Sequence, residues 1–249
     1  MTTANFRRRS SRPLVRGAAP WRRVASLYAS SVGRKYVMAL SGLAIFGFVI
    51  VHLIGTMKVF LGPEATDSYG EALRDLGGHL VPRTHLLWVF RVGLIAAFGV
   101  HLHAAFSLDR RNRRARGLER PLHQHHVAVS YASRTMLWSG IIVGLFVVFH
   151  LADLTWGTIN PDFQRGDAYN NQIASFGNPL ISAVYLLGVG ALAVHLFHGL
   201  WSLAQSVGAG SRLLDQEGKR RAAAAVAVTI GTGYASIPLA VLLGILSAD

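Results

Sequence analysis

The sequence of residues 36–60 is YVMALSGLAIFGFVIVHLIGTMKVF, an apolar run that contains one lysine, Lys58, and one histidine, His52. A helix of this length crosses a hydrocarbon core of about 30 Å at about 1.5 Å per residue, and a water-soluble helix would instead show a polar stripe. An imidazole at such depth loses its hydration, and ionisable groups inside membranes usually mark function. The run therefore predicts a membrane helix that carries a functional histidine.

Further apolar stretches of similar length follow this one, at residues 86–108, 135–156, 180–206 and 222–247. Short polar connections separate them, and charged residues make up only 15% of the 249-residue chain. We therefore predict an all-α integral membrane protein with five transmembrane helices, four of which form a haem-binding bundle for the reasons given below. Residues 1–27 are predicted to be a basic, disordered cytoplasmic arm, and residues 28–249 the five-helix membrane anchor.

Positive charge is distributed unevenly among the connections. Residues 1–35 contain nine basic residues and no acid, and basic residues also outnumber acids in the second and fourth connections. Acids outnumber basic residues in the first and third connections. Because cytoplasmic loops carry the excess of Lys and Arg, the pattern predicts a multi-pass protein of the cell membrane with its N-terminus in the cytoplasm and its C-terminus outside. It also argues against nucleic acid as a partner.

Histidines are concentrated in the predicted spans, which contain six of the eleven: His52, His101, His103, His150, His195 and His198. Helices one and three run outward, so His52 and His150 share the outer half of the bilayer. Helices two and four run inward, so His101 and His195 share the inner half, on the order of 10 Å away. Because low-spin haem iron takes two axial imidazoles, one histidine from each of four helices, paired by depth, predicts two bis-histidine haems in a four-helix bundle.

Other ionisable groups in the spans have more than one interpretation. His103 lies about 200° around the helix from His101, so it cannot bind the same iron. His198 lies on nearly the same face as His195 and either competes for the ligand role or contacts a propionate or a quinone. Arg91 either reaches the outer interface or neutralises a propionate. The alternatives to haem are hydrogen-bonded bundle histidines, a proton relay and a quinone site, and no internal repeat is evident beyond the histidine pattern.

Several blocks resemble the cytochrome b558-type membrane anchor of succinate dehydrogenase and fumarate reductase: SSVGRKYVMALSGLAIFGFVIVHLIGTMKVFLGPEA, AAFGVHLHAAFSLDRRNRRAR, ASRTMLWSG, VVFHLADLTWG and VHLFHGLWSLAQSVG. The likeness covers residues 28–247. It implies a five-helix anchor that holds two b haems and docks a flavoprotein and an iron–sulfur subunit on its cytoplasmic face. It implies axial ligands at His52 and His150 for the distal haem, and at His101 and His195 for the proximal haem.

The resemblance also implies the place of the chain in an enzyme. The chain would be the electron-transfer and quinone-reactive subunit of succinate dehydrogenase, exchanging electrons with menaquinone in the membrane, while succinate is oxidised on the flavoprotein. Candidate contacts for a propionate or quinone at the cytoplasmic rim are Ser31, Arg34 and Trp201. At the outer rim the candidates are Glu64 and Asp153, where a carboxylate could exchange protons with quinol.

Two alternatives stay open at this point. Some similar sequences hold a membrane-embedded, Rieske-like [2Fe–2S] cluster through histidines instead of haem. Such a cluster also needs thiolates, and because this chain has no cysteine they would have to come from a partner subunit. An alternative of another class is a proton-coupled transporter with a histidine relay, although carboxylates are scarce near the spans and the repeated halves common in transporters are not evident.

Overall fold

The computed structural model describes residues 28, 30–116, 125–206 and 215–248, with side chains for 28, 30–114, 135–205 and 215–248. The predicted basic arm, residues 1–27, lies outside the described residues. The regular secondary structure of the described part is all helical, and no strand occurs there.

The described residues form seven α-helices: α1 (Ser31–Thr56), α2 (Pro63–Arg74), α3 (His85–Arg116), α4 (His125–His150), α5 (Ala168–Gly177), α6 (Pro179–Ser206) and α7 (Gln216–Leu242). A 3₁₀ turn, Met57–Leu61, continues α1, and a π-helical turn, Leu151–Thr155, continues α4. Five helices, α1, α3, α4, α6 and α7, are long and apolar enough to cross a membrane. The predicted all-α membrane fold with five transmembrane helices is therefore confirmed.

Two of the membrane helices, α1 and α7, begin earlier than the predicted spans 36–60 and 222–247. The Ser30 side chain accepts a hydrogen bond from the Gly33 N–H at 2.9 Å, and Asp215 accepts one from the Gly218 N–H at 2.7 Å. Both residues are N-caps, whose oxygen satisfies a backbone donor that the first turn leaves free. Apolarity marks where a helix meets lipid, whereas the cap marks where the backbone begins to coil.

The end of α3, the start of α4 and the end of α7 also differ from the predicted spans. α3 continues to Arg116 and α4 begins at His125, so both helices extend through polar sequence beyond the predicted spans 86–108 and 135–156. α7 ends at Leu242 rather than at 247, and Gly244 just beyond it has a left-handed φ of 71°. Glycine adopts this conformation without steric cost and commonly ends helices.

The membrane helices pack as a series in which α3 contacts α1, α1 contacts α7, α7 contacts α6, and α6 contacts α4. Small residues bring α7 close to its neighbours. A Cβ at Gly231 would lie 3.1 Å from the Ala193 side chain on α6, and one at Gly233 would lie 3.1 Å from Leu53 on α1. Close approach at small residues is the usual way in which membrane helices associate.

A cap of short elements covers one end of the bundle. It consists of α2, the 3₁₀ turn, the π-helical turn and α5, around a buried apolar cluster formed by Val59, Tyr169, Ile173, Phe176, Tyr185 and Ile237. The Asp67 carboxylate on α2 accepts hydrogen bonds from the backbone N–H groups of Ala168 and Tyr169 at 2.7 and 3.2 Å, which joins α2 to the N-terminus of α5. On the membrane helices, by contrast, many large apolar side chains remain exposed, as expected of faces in contact with lipid.

Candidate functional site

Four histidines form two pairs across the bundle, and the two rings of each pair face each other. His52 on α1 and His150 on α4 have ring centroids 5.8 Å apart, with an angle of 65° between the ring planes. His101 on α3 and His195 on α6 have centroids 6.4 Å apart, with an angle of 78°. The structure therefore brings together the same partners that depth along the spans predicted.

The separation within each pair suits a metal ion held between two imidazoles. A metal–imidazole bond is about 2.0–2.1 Å and the ring centre lies about 1.1 Å beyond the nitrogen, so two rings on opposite sides of one ion have centres about 6.3 Å apart. The observed separations of 5.8 and 6.4 Å are close to that value. Among the described residues there is no cluster of three or more His, Cys, Asp or Glu. Each pair thus offers two protein ligands, which is the donor set that a haem requires.

The His101 ring on α3 is held by contacts with α1. His101 Nδ1 lies 3.2 Å from the Met38 carbonyl oxygen and 3.4 Å from Ser41 Oγ, both on α1. A Cβ at Gly42 would lie 3.1 Å from Cε1 of the same ring, so glycine leaves the space that the imidazole occupies. Because Nδ1 donates its proton to these oxygens, Nε2 is the nitrogen left free to bind a metal.

The inner ring on α6 has matching surroundings on α4. His195 Nδ1 lies 3.4 Å from Ser139 Oγ. A Cβ at Gly140 would lie 3.1 Å from Cε1 of His195. Each inner imidazole therefore lies against a serine and the glycine that follows it on the neighbouring helix.

This correspondence exposes an internal repeat that the sequence analysis missed. Residues 38–52 and 136–150 share the pattern Met-x-x-Ser-Gly, nine residues, His, and residues 100–102 and 194–196 are both Val-His-Leu. Each half of the repeat is a pair of packed helices, α1 with α3 and α4 with α6. The signal was present in the spacing, but only the side-chain contacts show that serine and glycine belong to the histidine site.

The outer pair has different neighbours. His150 Nδ1 lies 3.3 Å from the Tyr185 hydroxyl on α6, and this hydroxyl donates a hydrogen bond to Asp153 Oδ2 at 2.7 Å. The Ser175 hydroxyl on α5 donates to the same carboxylate oxygen. His52 stacks on Phe48, with centroids 5.3 Å apart. A chain of hydrogen bonds thus reaches one ring of the outer pair from the cap.

Asp153 is not the rim carboxylate that the sequence suggested. Its side chain is 0% exposed, because the π-helical turn directs it into the cap against Ser175 and Tyr185. Its Oδ1 has no hydrogen-bond partner among the described residues. Glu64, the other predicted outer carboxylate, is exposed in the first turn of α2.

The secondary candidates occupy distinct places. His198 Nε2 lies 3.2 Å from Thr135 Oγ1, while His195 is the ring that faces His101. The exposed Arg91 guanidinium lies 5.1 Å from the centre of the Trp88 ring, an arrangement typical of an interface.

At the inner end of α1, the cytoplasmic-rim candidates contact α3. The Arg34 guanidinium donates to the Ser107 hydroxyl, and Arg111 donates to Ser31 Oγ at 3.2 Å. Trp201 differs from them, because its buried indole nitrogen has no partner among the described side chains.

The fold defines the chain as an integral membrane protein, and two pairs of facing histidine rings lie between its helices. A model of the succinate dehydrogenase/fumarate reductase transmembrane subunit family matches residues 110–235, and the chain belongs to this family. No curated protein and no solved structure matches it. The matched region contains His150 and His195 but neither His52 nor His101, so the geometry, and not the family match, joins the first pair of helices to the site.

Proposed function

We propose that the chain is the cytochrome b membrane anchor of a succinate:quinone oxidoreductase, carrying electrons between an iron–sulfur subunit and menaquinone. The observation that supports this most directly is the pair of facing imidazoles at each of two levels of the bundle. Membership of the transmembrane-subunit family supports the assignment to this complex. A proton relay would need a continuous polar path, whereas the rings of each pair face one another between apolar helices.

In this proposal His52 and His150 hold the outer haem b, and His101 and His195 hold the inner one. When bound, haem supplies reversible one-electron chemistry. The protein residues set the orientation: the Met38 carbonyl occupies Nδ1 of His101, which directs Nε2 to the metal. Ser41, which contacts His101, precedes His52 by eleven residues on α1. Eleven residues span about 16 Å along a helix, so the two sites are stacked across the membrane.

The partners and orientation follow from the charge pattern and the family. The iron–sulfur and flavoprotein subunits would dock at the end of the bundle that carries the basic segments, which the positive-inside rule assigns to the cytoplasm. The inner haem would then be the nearer one to the iron–sulfur subunit. Trp201, whose indole N–H has no partner among the described residues, could donate at this end to a quinone carbonyl or a propionate oxygen. His198, Arg91, Ser31 and Arg34 remain further candidates for such contacts.

Spectroscopy of the purified complex tests the proposal. We expect a reduced-minus-oxidised spectrum with a b-type α-band and two haems per anchor. The variant His52→Ala should lose one haem and keep the other, because the two pairs share no ligand. The matched control is His103→Ala, since His103 is exposed and bonded to Tyr28.

Two results would contradict the proposal. Retention of both haems in His52→Ala would refute the ligand assignment. An unaltered complex without a b-type band, but with an additional iron–sulfur EPR signal from the membrane domain, would favour the Rieske-like alternative. In that case the thiolates would have to come from the partner, because this chain has none.

A further inference from the structure

The two histidine pairs differ in what their rings are bonded to. In the inner pair, Nδ1 of His101 and Nδ1 of His195 lie beside serine hydroxyls, and the His101 ring also bonds to the Met38 carbonyl. These are neutral partners. In the outer pair, Nδ1 of His150 lies beside the hydroxyl of Tyr185, which is itself bonded to a carboxylate. Among the described residues, an ionisable acid is thus connected to the outer pair and not to the inner pair.

The direction of the hydrogen bonds is set by the chemistry of the groups. Asp153 Oδ2 accepts hydrogen bonds from the Ser175 and Tyr185 hydroxyl groups. Because the Tyr185 proton is used in this way, the phenol oxygen is left as an acceptor. The imidazole therefore donates from Nδ1 to Tyr185, and Nε2 of His150 remains for the metal.

Burial of this carboxylate is costly unless a positive charge lies near it. The side chain is 0% exposed, and Oδ1 has no partner among the described residues. No salt bridge to Asp153 occurs in the part of the chain that the structure describes. The iron–porphyrin core of a ferric haem with two neutral imidazoles is positively charged, which would compensate the anion.

We propose that Asp153, acting through Tyr185, is a positioning residue that distinguishes the outer haem from the inner one. It orients the His150 ring and places a negative charge beside the oxidised outer haem, which lowers the reduction potential of that haem. The proposal rests on the proposed function, because it requires haem at the outer pair. It also assigns the cap a role, since Ser175 on α5 holds the same carboxylate.

The expected size of the effect follows from the distances. The carboxylate, phenol and imidazole are linked by contacts of 2.7 and 3.3 Å, which places the carboxylate about 10 Å or less from a metal bound at Nε2. At an effective dielectric constant of about 20, the interaction between two unit charges at that separation changes the equilibrium between oxidised and reduced haem about tenfold. For a one-electron couple, a tenfold change corresponds to about 59 mV.

An optical redox titration of the complex, with the two haems resolved as separate components, tests the proposal. His52→Ala identifies the outer component by its loss. Asp153→Asn should change the equilibrium between the oxidised and reduced forms of that component about tenfold in favour of the reduced form. This raises its reduction potential by about 59 mV and leaves the inner component unchanged. Tyr185→Phe should shift the outer component in the same direction. It should also change the largest g value of the outer ferric EPR signal, which reports imidazole orientation.

Ser139→Ala is the matched control, because Ser139 contacts His195 and should affect only the inner component. The proposal is overturned if neither Asp153→Asn nor Tyr185→Phe moves the outer component, or if both haems shift equally. If the Asp153→Asn variant does not assemble, Tyr185→Phe alone tests the proposal, because it breaks the same series of hydrogen bonds and keeps the carboxylate. Absence of b-type haem from the unaltered complex would instead refute the proposed function.

Discussion

At the scale of single residues, the site depends on where side chains are missing as much as on where they are present. Gly42 and Gly140 lie opposite the inner rings, each with a would-be Cβ 3.1 Å from an imidazole Cε1. The serine that precedes each glycine lies within 3.4 Å of Nδ1 of the same ring. A serine followed by a glycine therefore allows an imidazole to lie against the neighbouring helix and still have a hydrogen-bond partner.

Gly42→Ala should disturb the inner site selectively. The added methyl group would lie closer to the His101 ring than almost any natural contact, so the ring must move away from Met38 and Ser41. Overpacking of this kind costs about 1–3 kcal/mol. We expect reduced occupancy or an altered EPR signal of the inner haem, with the outer haem intact.

Gly47→Ala on the same helix is the control for this prediction, because a Cβ there meets nothing within 4 Å. Equal effects of the two substitutions on haem content would show that helix propensity, and not contact with the ring, is responsible. An unchanged inner haem in Gly42→Ala would contradict the proposed positioning by α1.

At the scale of elements, the outer site depends on the packing of α4 against α6. A Cβ at Gly188 on α6 would lie 2.4 Å from the Phe146 ring on α4. Phe146 is in turn beside both His150 and Tyr185, with centroids 6.1 and 5.2 Å away. One glycine thus sets the distance between the two helices that carry the hydrogen-bond chain.

We expect Gly188→Ala to destabilise the anchor, because the methyl group cannot be accommodated unless Phe146 or a helix moves. The expected loss is about 1–3 kcal/mol in the free energy of unfolding. Thermal unfolding of the detergent-solubilised complex measures it. Gly190→Ala, two residues away with no atom within 4 Å of the new Cβ, should be neutral or stabilising. A Gly188→Ala variant as stable as the unaltered protein would show that the helices separate readily.

At the scale of the whole molecule, an odd number of spans places the two termini on opposite sides of the membrane. The described structure has five helices that qualify as spans, and the basic segments alternate with neutral or acidic ones. The positive-inside rule predicts that the cap formed by α2 and α5 lies outside, above the outer histidine pair, and that the basic end of the bundle faces the cytoplasm.

Labelling of single cysteines tests this orientation on a background that contains no other cysteine. Arg165 and Gln216 are both exposed, the first in the connection before α5 and the second at the start of α7. A membrane-impermeant maleimide should label Arg165→Cys in intact cells, and Gln216→Cys only after permeabilisation. The reverse pattern would invert the orientation and move the proposed docking surface to the opposite end.

Much of this protein follows from local sequence. Apolar runs long enough to cross a bilayer predict the five helices, because hydrocarbon requires every backbone group to bond within its own helix. The depth of a histidine follows from its position along a span of known direction, so the pairing of His52 with His150 and of His101 with His195 could be predicted before any contact was known. The exact helix ends could not, because caps such as Ser30 and Asp215 act outside the apolar runs.

Only the tertiary structure determines what surrounds each ring. Asp153 and Tyr185 are 32 residues apart in sequence, and Ser41 and His101 are 60 apart, so no local pattern links them. Asp153 lies at the outer end of a span in sequence and resembles a solvated rim carboxylate, yet the cap of α2 and α5 buries it completely. The positions along the membrane normal are properties of each helix alone, whereas the hydrogen bonds that distinguish the outer pair from the inner pair require the helices and the cap to be packed together.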